Sequence, residues 1–139
     1  MGLIVDSSIL IAAEKRRFDL ARFAASLPHE KFFLAAITAS ELLHGVARAR
    51  PIERKTERST FVETLLARIP TVEFDLPAAR FHAQVWAELE GQGLRIGPHD
   101  LLIAATALRH DYHLATLNRG EFTRVSGLRL VDPTPFLIR

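Results

Sequence analysis

The sequence predicts a single α/β domain with a mostly parallel central sheet of about five strands, flanked by helices. Short apolar runs typical of strands alternate with longer helical patterns, which is the order expected when helices connect parallel strands. The length of 139 residues is that of one domain, so residues 1–139 are assigned to one unit. Apolar residues make up 48% and charged residues 24%, which excludes disordered, collagen-like and coiled-coil classes.

Short apolar runs are the predicted strands, because polar, glycine or proline residues that favour turns flank them. The first run is directly followed by Asp6, an acid at the end of a buried strand. The predicted strands are Leu3–Val5, Lys31–Ala35, Thr71–Phe74, Leu114–Leu117 and Leu128–Val131.

The segments between these runs carry helical patterns, and prolines or glycines mark several of their ends. Pro28 stops the second helix, Pro51 fits the first turn of the fourth, and Pro70 ends the fourth. Gly91 and Gly93 close the fifth helix. The sixth is apolar on nearly every face, so we expect it to be central and buried. The predicted helices are Ser7–Glu14, Phe18–Leu27, Thr38–Arg50, Pro51–Arg68, Pro77–Gln92 and Pro98–His110.

The composition excludes several classes of protein. The chain has no cysteine, which excludes disulfide scaffolds, thiol nucleophiles and cysteine-ligated zinc or iron–sulfur centres. No apolar stretch approaches the roughly 20 residues of a membrane span. The first residues lack the basic region of a signal peptide, so we expect a cytoplasmic protein with no membrane partner. The net charge is +2 and most basic residues are arginine, which permits a nucleic-acid partner without establishing one.

Acidic residues stand where the predicted strands end or where the following helices begin. In open α/β sheets, functional groups gather at the carboxyl ends of the strands, so these residues are candidates for a site. The set consists of Asp6, Glu41, Asp75, Asp100 and Glu121, with Asn118 beside the last.

Each of these residues also fits a structural role at the start of a helix. Asp6 and Asp75 each precede a predicted helix as N-cap candidates. The segments Thr38–Glu41 and Asn118–Glu121 fit capping boxes, the second more weakly. Asp100 lies in a first helical turn, where the helix dipole favours an acid. Taken singly, each residue is better explained as a cap than as a catalyst.

Taken together, the acids favour a metal site. Asp6 follows an apolar strand and Asp100 precedes Leu101–Ile103, so both carboxylates adjoin the core, where uncompensated charge is costly. Several such acids in one cleft require a cation, and oxygen ligands select Mg²⁺ or Mn²⁺. On an arginine-rich chain, such a site indicates phosphodiester chemistry.

Four segments in this order and spacing resemble the motifs of PIN domains, specifically those of VapC-type toxins from bacterial type II toxin–antitoxin pairs. The resemblance extends from Leu3 to about Val131, and the third segment is the most specific. The four segments are Leu3–Ile11, Thr38–Gly45, Ile96–Ala105 and Thr116–Phe122.

The resemblance implies a metal-dependent endoribonuclease. Asp6 and Asp100 would hold Mg²⁺, with Mn²⁺ as a substitute, and Glu41 would complete the metal ligands or orient the water. Asn118 stands where many relatives have Asp, so it supplies an oxygen but no charge, and Glu121 could restore that charge. The number of metal ions stays open. The resemblance also implies a VapB-type antitoxin, an RNA substrate, a homodimer and a toxin–antitoxin hetero-oligomer.

Two other phosphoryl-transfer classes of similar size fit the sequence poorly. A phosphoacceptor receiver domain needs a lysine at a late strand end, but the chain has none after Lys55. It also needs adjacent acids after the first strand, where Asp6 is followed by two serines. A haloacid-dehalogenase phosphatase needs a second aspartate two residues after the first, where Ser8 stands.

One alternative stays open, a catalytically silent PIN-like module that binds RNA or protein. Asn118 is the feature that supports it. The presence of Asp6, Glu41 and Asp100 counts against it.

Overall fold

The computed structural model describes residues 1–139 and has a five-stranded sheet surrounded by helices. All strand pairs are parallel, so the predicted α/β class is confirmed. No helix is both long enough and apolar enough to cross a membrane. The elements are β1 (Gly2–Val5), α1 (Ser7–Glu14), α2 (Leu20–Ser26), β2 (Lys31–Ala35), α3 (Ala36–Arg48), α4 (Ile52–Arg68), β3 (Thr71–Val72), α5 (Leu76–Gly91), α6 (Pro98–His110), β4 (His113–Ala115), α7 (Arg119–Phe122), β5 (Leu130–Val131) and a 3-10 helix (Thr134–Phe136).

The strand order β3-β2-β1-β4-β5 places β1 at the centre of the sheet. The chain adds β2 and β3 on one side of β1, then crosses to β4 and β5 on the other. The order therefore reverses between β1 and β4, and open α/β sheets bind ligands in the crevice beyond the strand ends at such a point. Asp6 follows β1, and its N–H donates to the carbonyl of Ala115, the last residue of β4, at 2.9 Å. This places Asp6 in the crevice.

Two hydrophobic cores form on the two faces of the sheet. Leu3 and Val5 belong to the core shared with α1, α2 and α4, whereas Ile4 belongs to the core shared with α5 and α6. This division follows from the alternation of side chains along a strand. Ile103 and Ala104 of α6 are fully buried in the second core, so the prediction of a central, buried sixth helix is confirmed.

The second helix is shorter than predicted. It spans Leu20–Ser26 rather than Phe18–Leu27, because Asp19 is its N-cap and accepts a hydrogen bond from the backbone three residues on, at 3.0 Å. Phe18 lies before the helix and forms an isolated antiparallel bridge with Leu137. Apolar periodicity indicates that Phe18 is buried, but it does not reveal that the residue pairs with a distant segment.

The third helix begins before the capping box that the sequence predicts. It starts at Ala36 rather than Thr38 and ends at Arg48 rather than Arg50. Because β2 ends at Ala35, the chain enters α3 without a loop, and no side chain caps the start of the helix. Thr38 lies inside the helix, fully buried, and its hydroxyl has no hydrogen-bond partner. The capping-box prediction is therefore wrong, and Arg50 lies outside the helix because it precedes a proline.

The remaining predicted elements are confirmed with shifted ends. The helices α4 and α5 start and end within one residue of the predicted positions. The last three strands are shorter than predicted. After β4, the hydroxyl of Thr116 and the backbone N–H groups of Leu117 and Asn118 bond side chains of the crevice. The short helix α7 was not predicted. The observed strands are Thr71–Val72, His113–Ala115 and Leu130–Val131.

Gly2 at the start of β1 is required by an aromatic stack. A Cβ at this position would overlap the ring of Tyr112. That ring lies between Phe33 at 4.9 Å and His110 at 5.2 Å, centroid to centroid, so it has little room to move. We expect Gly2→Ala to lower the free energy of unfolding by about 1–3 kcal/mol, the cost of overpacking a filled core.

Urea denaturation of this variant measures the effect. The matched control is Gly91→Ala in α5, where a Cβ meets nothing within 4 Å. The free energy of unfolding of this control variant should equal that of the parent or exceed it by up to about 1 kcal/mol, because alanine favours the helix more than glycine does. A Gly2→Ala protein as stable as the parent would contradict this account of the stack.

Candidate active site

Asp6 lies at the bottom of the crevice and is 3% exposed. Its Oδ2 accepts hydrogen bonds from the hydroxyls of Ser8 at 2.8 Å and Thr116 at 2.7 Å. These two hydroxyls accept in turn from the backbone N–H groups of Leu117 and Asn118. Asp6 occupies the N-cap position of α1, as predicted, but its side chain makes no capping bond to the helix. A chain of hydrogen bonds between β1 and β4 holds this carboxylate in one orientation.

Asp100 lies in the first turn of α6, as predicted. Burial is the main cause that raises the pKa of its carboxyl from 3.8 to about 7, and hydrogen bonding to Glu121 is the next. The negative charges of Asp6, Glu121 and Glu41 add to the rise. Charges change a neighbour's pKa mainly at short range, so these residues act on one another. We call the four carboxylates, those of Asp6, Glu41, Asp100 and Glu121, the acid cluster.

Asn118 and Glu121 enter the site from the end of β4 and from α7. The Asn118 amide donates to Oδ2 of Asp100 at 3.4 Å, and Oε2 of Glu121 accepts from the N–H of Gly97 at 3.2 Å. The predicted capping box is therefore wrong, because both side chains turn toward the start of α6. A Cβ on Gly97 would lie 3.6 Å from Asp100 Oδ2 and from Glu121 Oε2, so both carboxylates lie beside this glycine.

Glu41 projects from the second turn of α3 and has one unpaired oxygen. Its Oε1 is buried and has no hydrogen-bond partner. Its Oε2 lies 3.4 Å from Nδ1 of His99, whose side chain is 56% exposed. A buried acceptor without a donor costs free energy, which marks this oxygen as a place for a ligand.

Asp75, the remaining acid of the predicted set, is not part of the cluster. Its Oδ1 accepts from the N–H of Ala78 at 2.9 Å and so caps α5, which confirms its interpretation as an N-cap. Its Oδ2 also lies 3.1 Å from the guanidinium of Arg109. The bond from Ala78, with the arginine, lowers the pKa of Asp75.

The acid cluster has the donor chemistry of a hard divalent cation. No lysine or arginine forms a salt bridge with any of its four carboxylates. The unpaired oxygen of Glu41 and the raised pKa of Asp100 both indicate negative charge without a counter-charge. No three acidic or histidine side chains stand close enough together to hold a metal ion as they are placed. The residues thus fit Mg²⁺ or Mn²⁺ by oxygen type and charge, although their ligand geometry is not assembled.

Two contributors to the site were not predicted from the sequence. The hydroxyls of Ser8 and Thr116 orient Asp6, although both residues lie inside the motif segments. Their spacing could have identified them from the sequence, because Ser8 lies two residues after Asp6 and Thr116 lies two residues before Asn118.

Comparison with known proteins identifies the family. The PIN domain model matches residues 3–128. Ribonuclease VapC1 of Rickettsia felis is 33% identical over 131 residues, which are 94% of this chain and 96% of that protein. The tRNA(fMet)-specific endonuclease VapC of Shigella flexneri is 32% identical and covers 95% of this chain and 98% of its own.

Solved structures show the same relationship. The structure of VapBC2 from Rickettsia felis, bound to a DNA fragment from their promoter, matches with a TM-score of 0.86 at 26% identity, covering 95% of this chain and 98% of that one. VapBC-1 from nontypeable Haemophilus influenzae matches with a TM-score of 0.84 at 28% identity, covering 96% and 99%. The chain therefore belongs to the PIN-domain family and, within it, to the VapC ribonucleases of toxin–antitoxin systems.

Proposed function

We propose that the acid cluster is the centre of a metal-dependent endoribonuclease and that the protein is the toxin of a VapBC-type pair. The observation that carries this proposal is the meeting of four carboxylates, without a lysine or arginine partner, where the strand order reverses. Such a cluster favours a divalent cation, and the relatives named as ribonucleases supply the reaction class.

Each residue of the cluster has a proposed role. Asp6 and Asp100 are the ligands of Mg²⁺, for which Mn²⁺ substitutes, and Glu41 either completes the ligand set or orients the attacking water. Asn118 contributes an amide beside Asp100, and Glu121 supplies the negative charge that Asn118 lacks. When bound, a divalent cation would polarise the scissile phosphate and make a water molecule more acidic.

The protein's own contribution is to hold these groups before RNA arrives. Ser8 and Thr116 occupy Oδ2 of Asp6, which fixes the plane of that carboxylate. The unpaired Oε1 of Glu41 is an acceptor for a proton from the attacking water. Positions fixed in advance lower the entropy cost of reaching the reactive geometry.

The proposed partner is a VapB-type antitoxin, as in the VapBC complexes that this chain resembles. A cavity of about 170 Å³ between α1, α3 and α4 has walls that are half apolar and also include Glu14, Lys15, Arg58 and Glu41 of the acid cluster. An antitoxin segment with an apolar anchor and a basic end would fill this cavity and neutralise the cluster. We also propose that the toxin forms a homodimer within the hetero-oligomer. The apolar lining residues are Leu10, Ile11, Leu42, Phe61 and Val62.

Cleavage of a total-RNA pool tests the proposed reaction. Purified protein should release discrete fragments with Mg²⁺ or Mn²⁺ and none with EDTA, and end mapping would identify the target. Asp100→Asn and Asp6→Asn should each lower the rate at least about a hundredfold, because both remove charge that binds the metal. The control is Asp75→Asn, since Asp75 lies outside the cluster. Metal-dependent cleavage that survives Asp100→Asn would contradict the assignment, and a folded protein without activity would favour the silent module.

The raised pKa of Asp100 predicts how stability depends on pH. The folded protein keeps a proton that the unfolded chain releases between pH 3.8 and about 7, so without metal its free energy of unfolding falls as pH rises through this window. Asp100→Asn should therefore have a higher Tm than the parent at pH 8 in EDTA, and the difference should shrink toward pH 4. Adding Mg²⁺ at pH 8 should raise the Tm of the parent and not that of the variant.

Thermal unfolding followed by circular dichroism measures both effects. The control is Glu63→Gln, because Glu63 is exposed on α4 and lies outside the acid cluster. A stability difference for Asp100→Asn that is constant between pH 4 and pH 8 would contradict the crowding of charge.

The antitoxin contact is tested by Ile11→Glu. Ile11 is 42% exposed and lines the small cavity, so the variant should fold and cleave RNA but lose its antitoxin. Ile52→Glu is the control, because Ile52 is 67% exposed and lies outside the cavity. Co-purification with the cognate antitoxin, together with RNA cleavage, gives the two readouts. Normal antitoxin binding by Ile11→Glu would exclude this cavity as the contact.

A further inference from the structure

A second, larger groove lies beside the acid cluster. It has a volume of about 970 Å³, at the upper end of the roughly 300–1,000 Å³ range of ligand pockets, and lies between α5, the loop after it and the start of α6. Glu121 belongs to both sites, and Gly97 lines the groove beside two carboxylates of the cluster. A molecule in this groove would therefore reach the acid cluster. We call this larger groove the Trp86 groove. Its lining includes His82, Trp86, Leu94, Arg95, Gly97 and Glu121.

Two aromatic rings, those of His82 and Trp86, line the groove, and Phe74 packs behind His82. Trp86 is 54% exposed, although an indole of this size is usually mostly covered. The ring of His82 contacts it edge to face at 5.8 Å, and the ring of Phe74 contacts His82 in the same way at 5.7 Å. The edge contact with His82 restricts the Trp86 ring, and the exposed part of the ring offers a surface on which a planar group can stack.

Arginines border the groove on the side of the loop. Arg95 lines it, and the Arg124 guanidinium donates to the carbonyl of Arg95 and so ties this loop to the region after α7. Both arginines are exposed. Arginine pairs with phosphate through several N–H groups. The groove thus combines an exposed aromatic ring with an arginine next to a proposed phosphodiester site, a combination that suits the alternation of base and phosphate in a nucleic-acid strand.

We propose that the Trp86 groove binds single-stranded RNA, with an unstacked base on the Trp86 ring and the adjoining phosphate at Arg95. This inference rests on the proposed ribonuclease function and adds to it the part of the protein that positions the strand. An unpaired base leaves its stack at a lower cost in free energy than a paired one, so the groove favours loops and single strands over duplex. A second copy of this chain is the competing occupant of the groove, and light scattering distinguishes it from RNA.

Tryptophan fluorescence tests the stacking directly, because Trp86 is the only tryptophan in the chain. The Asp100→Asn protein is titrated with a short end-labelled single-stranded RNA of mixed sequence, and separately with the same RNA annealed to its complement. The single strand should quench the Trp86 emission to saturation, with the same midpoint as the rise in RNA anisotropy. The duplex should not quench it. Anisotropy that rises without quenching, or no binding of the single strand, would overturn the proposal.

Steady-state cleavage by variants tests the role in catalysis. Trp86→Ala should raise KM for the mapped RNA about tenfold with little change in kcat, which is the loss expected for one stacked base. Trp86→Phe should retain most of the affinity, because it retains a ring. Phe81→Ala is the matched control, since Phe81 is 38% exposed on the same helix and lies outside the groove.

The outcomes separate this proposal from the ribonuclease proposal. Unchanged KM in Trp86→Ala, with normal cleavage by the parent, would overturn the groove proposal and leave the nuclease assignment intact. Absence of cleavage by the parent would count against the nuclease assignment. The fluorescence titration alone would then show whether the Trp86 groove binds single-stranded RNA. Light scattering on Trp86→Ala completes the test, because conversion of a dimer to a monomer would assign this face to a second copy and overturn the RNA proposal.

Discussion

Uncompensated negative charge is the constraint on which the site depends. Asp100 is surrounded by the carboxylates of Asp6, Glu41 and Glu121, and burial together with this crowding raises its pKa to about 7. Folding alone would disfavour such an arrangement, because burial and the neighbouring carboxylates make ionisation of Asp100 more costly. No lysine or arginine is paired to these four acids, so their charge suits a positive ligand. We propose that this ligand is a divalent cation and, in the complex with antitoxin, a basic side chain.

The sheet brings these acids together. Because the strand order reverses between β1 and β4, residues distant in sequence, such as Asp6 and Thr116, become neighbours at the strand ends. Helices α3 and α6 then supply Glu41 and Asp100 from their early turns. The two hydrophobic cores bury these elements on both faces of the sheet, so the position of the site follows from packing that does not involve the acids themselves.

The sequence predicted the strands and helices well, but it predicted the side-chain contacts at the helix starts less well. Buried strands and helices have periodic patterns, so all the strands and the six longer helices were found with small errors at their ends. The capping boxes at Thr38 and Asn118 were wrong because a cap and a ligand site use the same residue types, and tertiary contacts decide between them. Among the acids proposed as helix caps, only Asp75 caps its helix through its side chain. The Trp86 groove could not be predicted, because the exposure of a helical tryptophan depends on the neighbouring loop.

The most direct test of the account is calorimetric titration of Mn²⁺ into the purified, antitoxin-free protein, with Asp6→Asn as the comparison. We expect saturable binding by the parent protein and a marked loss of affinity in the variant, because Ser8 and Thr116 hold the carboxylate of Asp6, the proposed ligand, in one orientation. If a folded parent protein bound no metal at millimolar Mn²⁺, the acid cluster would not be a cation site. The silent PIN-like module would then be the better description of this chain.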